Sequence, residues 1–140
     1  DMKAAAVKQL QDGEPVWFGC DVGQSSDRKS GVMDTDLYDM ATLVGVEFTM
    51  DKRQRIMTRE SAATHAMTLA GVDVIDGRPV RWKVENSWGD ENGQKGYFVM
   101  TDPWFDEYTF EAVINKKYLS EDIARLYETE PEVLPYYLPF

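Results

Sequence analysis

Apolar positions in this chain follow two periods in turn, helical near the N-terminus and strand-like beyond His65. Ala6, Val7 and Leu10 fall on one face of an alanine-rich stretch, which predicts a helix capped by Asp1 and stopped by Gly13. Residues 15–22 form a short β-branched and aromatic run with Pro15 at its edge, which predicts a buried strand. Residues 23–31 are polar and turn-rich, hence a loop. Leu37, Tyr38, Met40, Ala41, Leu43 and Val44 fit a short helix, and 51–59 a further turn or two of surface helix. Four strands are predicted over 66–75, 80–85, 96–101 and 108–114, punctuated by Asp76-Gly77, by 90–94 and by Asp102-Pro103. That order reads as an antiparallel meander. Ser120 caps a last helix to Tyr127, and Pro131, Pro135 and Pro139 keep the end of the chain extended. The fold class is therefore α+β, with 1–130 as one β-rich unit and 131–140 as an arm.

Composition narrows the classes of function. The chain has 140 residues, 43% of them hydrophobic and 12% aromatic, enough for one domain with its own core. A net charge of −10 argues against nucleic acid and against an anionic membrane surface, both of which need a Lys/Arg footprint. One cysteine permits no internal disulfide and suits a reducing compartment. Neither a membrane-spanning apolar run nor a signal-peptide pattern is visible, so a cytoplasmic location is the expectation. The chain opens on Asp1 rather than an initiating methionine, consistent with being part of a longer polypeptide.

The candidate chemistry lies in one histidine and one asparagine. His65 and Asn86 stand at the outer ends of two strands joined at Asp76-Gly77, so a hairpin brings them together. A carboxamide oxygen can accept from the far ring N–H of an imidazole and so orient it as a general base. Neither residue is distinctive alone. Their ordered combination with the aromatic and glycine pattern is what carries the signal.

Asn86-Ser87-Trp88-Gly89 with Gly93 and Gly96-Tyr97-Phe98 resembles the asparagine motif of papain-like cysteine peptidases, and Thr64-His65-Ala66-Met67 resembles their histidine motif. Trp82-Lys83-Val84-Glu85, the run from Pro15 through Gly23, and Asp102 through Tyr108 are similar to the bleomycin hydrolase and aminopeptidase C group. The resemblance extends to about Pro135. It implies a papain-like fold of two lobes, of which this chain would be the sheet-containing C-terminal one. It implies His65 as general base and acid, Asn86 as its orienting partner, and Trp88 as a shield over their hydrogen bond. The nucleophilic cysteine and an oxyanion-hole glutamine would lie in the other lobe, so this chain alone should be inactive. The substrates implied are peptides with a free N-terminus, and the assembly implied is a hexameric ring. No cofactor or metal is implied. A non-catalytic role as an interaction or assembly module is the alternative.

Cys20 is not expected to be the nucleophile. Family nucleophiles sit at a helix N-terminus, where the dipole favours the thiolate, whereas Cys20 lies in an apolar strand pattern. The tail also departs from the family. In the family a C-terminal arm lies in the cleft, where its carboxylate meets the substrate's amine. Here Leu134-Pro135 is followed by Tyr136-Tyr137-Leu138-Pro139-Phe140 instead of the small residues of the relatives.

Overall fold

A seven-stranded sheet, curled around one core and flanked by short helices, makes up the chain in a computed structural model that describes residues 2–136. The expected Asp1 cap and residues 137–140 of the expected arm lie outside the described residues. Helix α1 (Met2–Gln11) packs through buried Ala5 and Ala6. Its buried Gln9 donates to Pro15 O (2.9 Å) and accepts from Asn115 N–H (2.8 Å). One amide thereby ties the helix to the chain entering one strand and leaving another.

Strand β1 (Val16–Cys20) turns Val16, Phe18 and Cys20 into the core and leaves Trp17 half-exposed, the alternation a pleated strand imposes. It pairs antiparallel with β4 (His65–Ile75), and β4 pairs with β5 (Arg78–Glu85) across Asp76-Gly77. Both turn residues have positive φ, 50° and 76°, as a type I′ hairpin requires. β6 (Tyr97–Thr101) completes the β4–β5–β6 meander.

The sheet is larger and less regular than a meander. β7 (Thr109–Val113) pairs with β1 rather than with its predecessor β6, because the helix α4 (Asp102–Tyr108) carries the chain away from β6. The predicted loop at 23–31 holds β2 (Ser26–Asp27), which pairs with β3 (Val32–Met33). β3 then runs parallel to β6 through Val32↔Val99 and Met33↔Met100. The strand order is β2-β3-β6-β5-β4-β1-β7. Helices α2 (Met40–Val44), α3 (Lys52–Thr58) and α5 (Glu121–Leu126) are short; the Asp51–Gln54 capping box starts α3 and Ser120 caps α5. The core joins Phe18, Met33, Leu69, Trp82, Val84, Phe98, Met100 and Trp104, all essentially sealed from solvent. Among the described residues no helix is long and apolar enough to cross a membrane.

Candidate active site

The site forms where β4 begins and β5 ends. On β4, Met67 and Leu69 face the core, and His65 shares their side of the sheet by the two-residue strand period. On β5, Trp82 and Val84 face the same core, and Asn86 continues that series one step past the strand. Thr68↔Glu85 and Leu69↔Val84 set the register. The hairpin thus delivers His65 and Asn86 to one face of one sheet end, and His65 Nε2 lies 2.9 Å from Asn86 Oδ1.

A second contact assigns the proton. Ser87 N–H donates to the same Oδ1 at 2.8 Å, so the amide atom facing the ring is an acceptor. His65 Nε2 must then be the donor, and in the neutral ring Nδ1 is left with its lone pair. Asn86 is 8% exposed, and its Nδ2 is buried without an acceptor among the described residues. An unpaired buried donor costs about 1–3 kcal/mol, the kind of cost that functional sites retain.

Trp88 covers the pair. Its ring stacks on the imidazole with centroids 4.8 Å apart and planes at 30°, and it meets Phe98 edge-on at 5.9 Å. The loop carrying it is held at its base by Asn86 N–H to Gly96 O (3.0 Å). It turns back at Gly93, where φ is 59° and an added Cβ would sit 2.4 Å from Tyr97 O, so only glycine fits.

The approach to His65 is anchored through Asp21 and Ser61, neither of which the sequence marks as part of the site. Asp21 is buried and accepts from Ser61 Oγ (2.8 Å) and Thr64 Oγ1 (3.3 Å). Thr64 N–H also donates to Cys20 O (2.9 Å). These bonds fix the approach to β4 one residue before the imidazole. A lone Asp ahead of a polar loop has no recognisable pattern, and only the fold connects it to residues 61–64.

Cys20 sits opposite His65 in the β1–β4 register yet is fully buried. Burial, with the neighbouring Asp21 carboxylate adding, pushes its thiol up to about 12, which leaves almost no thiolate near neutrality. Iodoacetamide at pH 7–8 is expected to leave Cys20 unmodified in the folded chain and to label it fully in denaturant, as read by intact mass.

The chain belongs to the Peptidase C1-like family, whose model matches residues 1–140, and its sheet and flanking helices are those of the papain-like C-terminal lobe. It is 53% identical over 133 residues to aminopeptidase C of Lactococcus lactis subsp. cremoris, covering 94% of this chain and 30% of that protein. Against aminopeptidase C of Streptococcus thermophilus the identity is 50%, with the same coverage. The crystal structure of PepW from Lactobacillus rhamnosis superposes with a TM-score of 0.92 at 51% identity, covering 98% of this chain and 31% of that one. The chain therefore spans about 30% of the length of the curated relatives it matches.

Proposed function

We propose that this chain supplies the His–Asn half of a cysteine aminopeptidase site, with His65 as general base and acid, Asn86 as its orienting partner and Trp88 as its cover. The reading rests above all on the 2.9 Å contact between His65 Nε2 and Asn86 Oδ1. That contact leaves Nδ1 as the basic nitrogen, available to a thiol approaching from outside the chain. The nucleophile would come from the part of the relatives' length that this chain does not span, since Cys20 is buried and poorly acidic. In the reaction, Nδ1 takes the thiol proton and the thiolate attacks the first peptide carbonyl. The imidazolium then protonates the leaving amine, and Nδ1 takes a proton from the water that cleaves the thioester. Asn86 holds the ring through both transfers, and Trp88 keeps water from competing for Oδ1.

The test is a chimera in which residues 1–140 replace the matching segment of Lactococcus lactis aminopeptidase C, assayed on an aminoacyl-coumarin amide. The chimera is expected to turn over and the isolated chain to be inert. A folded but inert chimera would contradict the reading.

One observation favours a second reading, a papain-like module for assembly or interaction. Tyr38, Leu43, Val44, Val46 and Phe48 are each more than half exposed, with Leu43 at 74% and Phe48 at 69%. Such an apolar stretch suits a covered surface. Under this reading the folded chimera would lack activity. The hexameric ring that the resemblance implies would be one form of that assembly.

A further inference from the structure

We propose that Arg28, in the β2–β3 turn, is a positioning residue that holds Trp88 closed over the His65–Asn86 pair. A hydrogen bond between imidazole and carboxamide strengthens as water is excluded, so the placement of Trp88 sets how well His65 is held. The segment bearing Trp88 has an exposed tip at residues 89–91 and no regular structure of its own. Phe98 supports the indole from the core side. Arg28 adds a further restraint from the solvent side of the loop, on both the ring and the chain beneath it.

Arg28 reaches Trp88 by two routes. Its guanidinium carbon lies 4.7 Å from the centroid of the indole, a cation–π contact. Its Nε–H donates to Asn92 Oδ1 at 2.7 Å, and Asn92 Nδ2 donates to Trp88 O at 2.7 Å. One side chain thus holds both the ring and, through Asn92, the backbone beneath it. The turn bearing Arg28 is itself docked on this segment. Gly93 N–H is shared between Arg28 O (3.3 Å) and Lys29 O (3.2 Å). A Cβ at Gly31 would sit 2.6 Å from Gly93 Cα, so the two turns meet backbone to backbone. A planar guanidinium can stack while donating in its own plane; a lysine ammonium cannot do both.

This role rests on His65 being the catalytic base, whereas the restraint on Trp88 is independent of it, and the experiment separates the two. In the full chain, NMR measures exchange of the His65 Nε2 proton with water together with the Trp88 indole resonances. Arg28→Ala is expected to speed that exchange roughly three- to tenfold, the effect of losing one cation–π contact and one charge-assisted hydrogen bond from a local closing equilibrium. Asn92→Ala is expected to act in the same direction, and Arg28→Lys to fall between Arg28→Ala and the parent. Arg81→Ala removes an exposed ion pair with Asp73 elsewhere on the hairpin and should leave the exchange unchanged. In the chimera, Arg28→Ala is expected to lower kcat with KM held within about twofold, and Arg28→Lys to restore part of it. Exchange that ignores Arg28→Ala, or responds equally to Arg81→Ala, overturns the proposal. An inert parent chimera would instead overturn the peptidase reading, with the exchange result still deciding whether Arg28 holds Trp88.

Discussion

Replacing His65 with alanine in the aminopeptidase chimera is expected to lower kcat/KM by at least about a thousandfold. General acid–base catalysis is worth about 10²–10⁴-fold on its own. Residues that act as a unit lose nearly all of their joint effect when one is removed. Here the same imidazole would raise the thiolate and protonate the leaving amine, so both half-reactions suffer. Asn86→Ala is expected to cost less, because an imidazole without its partner can still reach a productive orientation for part of the time. It should also leave folding intact, since Asn86 contributes a buried Nδ2 that has no acceptor among the described residues. Steady-state kinetics on the aminoacyl-coumarin amide, with circular dichroism to confirm the fold, checks both. Equal activity in the parent and His65→Ala chimeras would remove His65 from the chemistry.

The largest expected effect on stability lies at Trp82. It is fully buried, stacks on Phe105 at 4.7 Å and 17°, and donates its indole N–H to Asp102 Oδ1 at 3.1 Å. Asp102 also receives Lys3 Nζ at 2.9 Å, so the indole belongs to a junction between α1, β5 and α4. Trp82→Ala is expected to cost about 3–5 kcal/mol, the range for emptying a large aromatic site, out of a total of about 5–15 kcal/mol for a typical domain. Trp82→Phe keeps most of the packing and loses the hydrogen bond, and is expected to cost less. Urea unfolding measures the difference. A loss under about 1 kcal/mol for Trp82→Ala would mean that the site collapses around the cavity.

The hairpin and the His65–Asn86 contact at its open end were legible because their signals are local. Asp76-Gly77 specifies a tight turn, and the two strands it joins have His65 and Asn86 at their outer ends, where the side chains meet at 2.9 Å. Cys20 read correctly as a buried strand residue for the same reason. The α4 helix was hidden because Asp102-Pro103 suits a turn and the first turn of a helix equally well; the Thr101 cap and proline in that first turn decide for helix. With α4 unseen, β7 was placed next to β6 instead of beside β1. The β2–β3 pair was missed because two-residue strands leave no periodicity to detect. What the sequence could not reveal around the site is its support: Asp21, Asn92 and Arg28 act through partners far along the chain, and only the closed sheet brings those partners near.

The tautomer of His65 is the most direct measurement of the claim that Asn86 prepares this ring as a base. In a chain labelled with ¹⁵N at histidine, which has a single histidine, the two ring nitrogens are resolved at a pH where the ring is neutral. Nε2 is expected to carry the proton and Nδ1 to be the bare nitrogen, and Asn86→Ala is expected to let the two forms mix. A neutral ring protonated at Nδ1, or a tautomer indifferent to the loss of Asn86, would contradict it.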